Sequence, residues 1–166
     1  VKKLGQVCVS RYQKNKIASV IKHIPGHGCA TLDSHLSMPK VKQSYSILKN
    51  IDFLPFKSNK ALFAMTAHIL YKKIDNKNVA TFSKKIIKRI IRNKIGFNGI
   101  LISDDISMKA LKFDIITNAL KALDAGCNLV LYCSGNFKES KKLITKVPYI
   151  DNFTAQKTTE FFKFLR

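Results

Sequence analysis

The stretch Gly96-Phe97-Asn98-Gly99-Ile100-Leu101-Ile102-Ser103-Asp104-Asp105 carries most of the fold information in this chain. Ile100-Leu101-Ile102 is an unbroken apolar run, without the alternation of a strand that has one face in water. It predicts a strand covered on both faces, as in a parallel sheet flanked by helices. The run ends abruptly in polar residues, and in parallel α/β folds the carboxyl ends of strands are where sites are built. Two adjacent carboxylates repel, so stability alone is a poor reason to place them there. Asp105 is expected to cap the next helix, which leaves Asp104, closer to the strand, to point into the mouth of the fold.

The same alternation of short apolar strands and amphipathic segments extends in both directions. Towards the N-terminus, Thr81 to Arg92 sets Phe82, Ile86, Ile87, Ile90 and Ile91 against Lys84, Lys85, Lys88 and Arg89. That is a helix with one buried and one solvated face, its start capped by Thr81 or Ser83. Leu62 to Met65 reads as a strand ending near His68, Val41 to Phe53 as helical, and Ile17 to Ile24 as a strand closed by Pro25-Gly26. Residues 2–14 read as the end of a helix. Towards the C-terminus, Thr117 to Ala125 reads as a helix stopped by Gly126. Asn128 to Cys133 is then a fourth strand, followed by the loop Ser134-Gly135-Asn136 and a helix near Thr158 to Leu165. The sum is an α/β fold of about four strand–helix units, too few for a closed eight-unit barrel of about 250 residues. The expectation is half of a TIM-type barrel, occupying residues 1–166 as a partial domain.

Composition narrows the classes. Hydrophobic residues make up 46% of the 166, which argues against disorder. The longest apolar runs are far too short to cross a bilayer, and Val1-Lys2-Lys3-Leu4 does not open a secretory signal. The first residue is Val, so a natural start is not expected here. Cys8, Cys29, Cys127 and Cys133 form no Cys-x-x-Cys pair, a pattern of reduced thiols that points to the cytoplasm. Lys plus Arg outnumber Asp plus Glu by 30 to 10, giving a formal charge of +20. Such a charge would attract a phosphate backbone, but the basic residues are spread along the chain. No helix-turn-helix, RRM or KH signature accompanies them, and no aromatic residues alternate with them, which disfavours a nucleic-acid-binding module.

The remaining chemistry lies in Lys22-His23-Ile24-Pro25-Gly26-His27-Gly28 and Asp33-Ser34-His35, which hold three of the four histidines. His23 and His27 are four apart, a zinc-ligand spacing on a helix, but Pro25 and Gly26 lie between them and no Cys or Glu stands at ligand spacing. No metal is expected. Asp33 and His35, two apart on a loop, can turn to one side. A carboxylate on one imidazole nitrogen fixes the tautomer and raises the basicity of the other. An Asp-x-His on a loop is also an ordinary capping motif.

These runs together resemble a known family. Lys22 to Gly28 with Asp33-Ser34-His35 is similar to the Lys-His-Phe-Pro-Gly-His-Gly…Asp-Ser-His signature of glycoside hydrolase family 3 β-N-acetylglucosaminidases. Ser103-Asp104-Asp105-Ile106-Ser107-Met108, preceded by Gly96-Phe97-Asn98-Gly99, resembles their nucleophile motif. Met65-Thr66-Ala67-His68 resembles their Met-Pro-Ala-His, with Thr66 in place of proline, and Leu123-Asp124-Ala125-Gly126-Cys127 also fits.

The resemblance implies the C-terminal half of the family's barrel, with Asp104 as nucleophile and His35, oriented by Asp33, as general acid/base. Lys22, His23 and His68 would bind the sugar. It implies retaining hydrolysis of terminal β-linked N-acetylglucosamine on muropeptides during peptidoglycan recycling in the cytoplasm, with no cofactor, no metal and no membrane or nucleic-acid partner. The family's Asp-x-Glu-Gly-Gly segment and sugar-gripping arginines belong to an N-terminal half that these residues do not contain. The chain is therefore expected to need a complementary half-barrel, or else to be an inactive remnant that serves as an interaction half.

Overall fold

A computed structural model describes residues 1–30 and 38–166. In chain order the strands are β1 (Val20–Ile24), β2 (Lys40–Val41), β3 (Phe63–Thr66), β4 (Leu70–Tyr71), β5 (Ile100–Asp105) and β6 (Leu129–Leu131). The helices are α1 (Lys2–Lys14), α2 (Tyr45–Asn50), α3 (Ile115–Ala125), α4 (Phe137–Lys146) and α5 (Asn152–Leu165), with a π-helix at Ile86–Ile95 and two short 3-10 turns. Four strands form one parallel sheet in the order β1-β3-β5-β6, while β2 and β4 pair separately as a two-residue parallel ribbon.

Sequence order equals spatial order in the main sheet, so each connection steps one strand along, as in a barrel wall. The wall is open. Among the described residues β1 and β6 each pair with one strand only, and their outer positions are wet, with Val20 43% and Leu129 36% exposed. The interior strands are not. Leu101 of β5 is fully buried, and Ile24, Ala64 and Leu101 pack with Ile86, Ile87, Ile90, Ile91 and Ile95 and with Ala122 and Ala125 of α3. The expected four strand–helix units are present around one parallel sheet.

The helix expected over Thr81 to Arg92 takes a wider form. After a 3-10 turn at Ala80–Phe82, Ser83 caps its start by accepting the Ile86 N–H at 3.1 Å. From Ile86 the backbone is π-helical, whose i→i+5 bonding lengthens the turn. Apolar residues at 86, 87, 90, 91 and 95 all fall on the buried face, which suits a turn longer than the α-helical 3.6. Gly96, at φ +79°, reverses the chain, and the Phe97 N–H returns to the Ile91 carbonyl at 3.1 Å, the closing bond of a Schellman-type cap. Gly99 then permits the turn into β5, since a Cβ there would collide with the Leu62 carbonyl and the Phe97 ring.

Elsewhere the elements differ in extent from the sequence reading. The expected helix over Val41 to Phe53 is divided between β2, α2 and an irregular turn. Helix α4, not foreseen, is capped by Asn136, which accepts the Glu139 N–H at 3.2 Å. Helix α5 begins earlier than expected, at the cap Asp151, which accepts the Thr154 N–H at 2.7 Å. No helix among the described residues is long and apolar enough to cross a membrane.

Candidate active site

The carboxyl ends of β1, β3 and β5 bring Lys22, His23, His68, Asp104 and Asp105 to one end of the sheet. Two irregularities in the strand ladder lie at this end. Pairing of β1 with β3 skips His23, passing from Lys22↔Met65 to Ile24↔Thr66. Pairing of β5 with β6 passes from Ile102↔Leu129 to Asp105↔Leu131, so Ser103 and Asp104 stand where the register shifts. Bulges of this kind re-aim side chains next to active sites, and here they turn His23 and Asp104 toward each other. His23 Nε2 lies 3.6 Å from Asp104 Oδ2.

Among the described residues Asp104 is hydrogen-bonded on one side. Its Oδ1 accepts the Asp105 backbone N–H at 2.9 Å, whereas Oδ2 faces His23 at a distance longer than a hydrogen bond. Burial pushes His23 below the usual imidazole range. Asp104 pulls it back up, while Lys22, His27 and His68 add to the lowering. Lys22 is exposed at the same strand end. His27 follows in the turn, with its ring centroid 6.0 Å from that of His23.

Asp105 does not cap the next helix. That role belongs to Asp114, whose carboxylate accepts the Ile116 and Thr117 N–H groups at 3.1 Å each. Asp105 instead accepts from Ser107 N–H at 3.0 Å, from Ser107 Oγ at 2.6 Å and from Cys133 N–H at 3.1 Å. It ties the exit of β5 to the residues after β6. The correction has a simple cause: eight residues separate Asp105 from Asp114, too many for a cap next to the helix.

His68 is 1% exposed, and both ring nitrogens are engaged inside the protein. Nδ1 lies 2.7 Å from Thr81 Oγ1, and Nε2 lies 3.0 Å from the Asp105 carbonyl oxygen. The expected sugar contact does not match these surroundings: the ring sits behind the site. Burial lowers its pKa, partly offset by the Asp105 carbonyl and by the carboxylates of Asp104 and Asp105. Thr66, the departure from proline, is itself buried and bonds Thr81 Oγ1 at 2.9 Å. No sequence signal linked Thr81 to this group.

Asp52 was also missed in the sequence. It is buried beneath the turn after β1, and its Oδ2 accepts the Cys29 N–H at 3.1 Å. Gly26, at φ +153°, passes so close to Asp52 that any Cβ would collide with it. Tyr71 donates its hydroxyl hydrogen to the Gly26 carbonyl. The turn is thus anchored before it runs into Thr31–Ser37; Asp33 and His35 lie outside the described residues. Among the described residues no three His, Cys, Asp or Glu side chains gather as a metal site would require.

The chain matches the glycosyl hydrolase family 3 N-terminal domain over residues 1–157. It is 36% identical over 140 residues to a beta-hexosaminidase of Shewanella frigidimarina, covering 81% of this chain and 41% of the relative. A beta-hexosaminidase of Methylobacillus flagellatus is 36% identical over 127 residues, covering 74% and 36%. The chain thus spans about two-fifths of the length of these relatives. Among solved structures, NagZ of Neisseria gonorrhoeae in complex with N-trifluoroacetyl-D-glucosamine superposes at a TM-score of 0.76. It is 30% identical, covering 89% of this chain and 43% of that one. Zinc-bound CbsA of Thermotoga neapolitana superposes at 0.84 with 29% identity, covering 99% and 39%. The chain belongs to glycosyl hydrolase family 3.

Proposed function

We propose that the protein supplies the nucleophile-bearing half of a retaining β-N-acetylglucosaminidase. The observation that carries this reading is Asp104 at the end of central strand β5, one oxygen held by a backbone N–H and the other facing His23 across the opening. A carboxylate oriented on one side, with no hydrogen bond on the other among the described residues, suits attack on an anomeric carbon. In the scheme, Asp104 bonds to that carbon as His35, oriented by Asp33, protonates the leaving oxygen. Water, deprotonated by His35, then releases the sugar and restores Asp104. A histidine in place of the usual second carboxylate avoids repulsion between two anions in a small site. Lys22, exposed at the strand end, and His23 would hold sugar hydroxyls. Asp33 and His35 receive these roles from the sequence motif alone.

The substrate class follows from the relatives' names and from the N-acylated glucosamine in the gonococcal NagZ complex. We assign the natural substrate to β-linked N-acetylglucosamine on muropeptides in the cytoplasm, on the sequence resemblance and the four unpaired cysteines. The open edges of β1 and β6 and the two-fifths coverage of relatives support a need for the rest of the barrel. The same edges favour a second reading, an inactive half that serves only as an interaction partner.

The test pairs this chain with a separately made N-terminal half of a related enzyme and an aryl β-N-acetylglucosaminide. Asp104→Ala should abolish turnover by about a thousandfold or more. Asp105→Ala should retain much of it while losing about 1.5–3 kcal/mol of stability from its hydrogen bonds. Equal losses would mean the wrong carboxylate; stable pairing without turnover would favour the interaction half.

A further inference from the structure

We propose that His68 is a positioning residue for the Asp104 carboxylate, holding the backbone that aims the Asp105 N–H at it. This rests on the reading of Asp104 as the nucleophile. Main-chain pairing of β3 with β5 runs from Phe63↔Ile100 to Met65↔Ile102 and ends there. Asp105 lies three residues beyond the last pair. Strands that open a site at their carboxyl ends lose the ladder that would fix them, and a side chain from the neighbouring strand end can replace it. His68 does this, with Nε2 3.0 Å from the Asp105 carbonyl oxygen.

On the other flank, Ser103 Oγ accepts the Leu131 N–H at 3.0 Å, and Ile106 donates its N–H to the Leu131 carbonyl at 2.9 Å. The Asp105–Ile106 peptide is therefore clamped between β3 and β6, its carbonyl by His68 and its N–H by Leu131. The preceding peptide carries the Asp105 N–H, which meets Asp104 Oδ1 at 2.9 Å.

The protons in this cluster can be ordered. A carbonyl only accepts, so His68 Nε2 carries the hydrogen. A buried neutral ring then has Nδ1 as an acceptor. Thr81 Oγ1 lies 2.7 Å from Nδ1 and 3.2 Å from the Ala67 carbonyl oxygen, and its hydrogen goes to the nearer acceptor, Nδ1. Thr81 has one hydrogen, so Thr66 Oγ1, at 2.9 Å, donates to Thr81. Thr66, Thr81 and His68 are buried, where each bond is strong and each missing one costly, and the chain ends on the part-buried Asp105 carbonyl. A histidine that merely filled the core would need no directed chain ending on the Asp105–Ile106 peptide.

The test is magic-angle-spinning NMR of the full chain, which tolerates self-association, with 15N-labelled histidine and 13C-labelled aspartate. His68 should be neutral and carry its hydrogen on Nε2; a cationic ring, or the hydrogen on Nδ1, overturns the proposal without any variant. His68→Phe keeps a ring and removes the donor, and should shift the Asp104 carboxylate 13C signal as the aimed N–H is lost. His68→Gln restores an N–H donor and should return that signal towards its wild-type position. A signal unmoved by His68→Phe, or moved equally by His68→Gln, would reduce His68 to a packing residue. Should His68→Phe fail to fold, the wild-type tautomer and the His68→Gln signal decide. These readouts are taken on the resting carboxylate. Failure of the nucleophile reading would show instead as turnover surviving Asp104→Ala.

Discussion

His23 and His68 are both pushed below the ordinary imidazole range by burial, although Asp104 pulls each of them up. Burial thus favours the neutral ring of each in the fold, whereas both titrate near 6.5 in the unfolded chain. Below that pH the unfolded chain takes up protons that the folded chain refuses, so stability is lost on acidification and is full above about pH 6.5. The thermal midpoint should therefore fall between about pH 6.5 and 5, and His68→Gln should flatten that fall. A midpoint constant across the range would show that neither ring is held neutral. The capping carboxylates Asp114 and Asp151 belong to a lower window. Hydrogen bonds from Thr117 and Thr154 depress their pKa values, so their contribution is lost only below about pH 4. At this scale the sequence marked Asp104 by its place at a strand end, and Lys22 and His23 by the family resemblance. It did not mark Thr81, Asp52 or the inward turn of His68, because each depends on a partner at least thirteen residues away.

Among the elements, periodicity found those with a long regular face and missed those too short to have one. The strands at Ile100 and Leu129 and the helix before Gly126 were legible. The two-residue β2–β4 pair was not, since it has no period. Helix α4 left one readable trace, an Asn136 cap with Glu139 three residues on, a spacing akin to a capping box. Glycines offer a contrast in sign. Gly99→Ala should cost about 1–3 kcal/mol, because its Cβ would meet the Leu62 carbonyl and the Phe97 ring. Gly5→Ala, inside α1 with open space around it, should stabilise by about 0.5–1 kcal/mol. Urea unfolding of the two variants would measure both. A neutral Gly99→Ala would mean that the turn into β5 relaxes freely.

At the scale of the whole molecule, the open sheet dominates. Unpaired strand edges recruit other strands, and the exposed apolar residues beside them favour association. The chain by itself is expected to lack turnover and to self-associate, with its +20 charge slowing association at low salt. Adding an N-terminal half-barrel from a related enzyme should raise solubility and restore part of the activity. Ultracentrifugation beside a chromogenic assay would measure both. A soluble monomer that cleaves substrate unaided would overturn the half-barrel view.

The sequence by itself determined the α/β class, the four strand–helix units, the strand end that carries Asp104 and the family. Those properties reside in local apolar patterning and contiguous motifs, which survive without knowledge of contacts. Tertiary structure alone decided which carboxylate faces His23, that Asp105 ties β5 to the residues after β6, and that His68 lies behind the site. Each of these depends on where ladder pairing stops and side chains take over. That is set by how neighbouring strands splay and shift register, which no stretch of a single strand encodes.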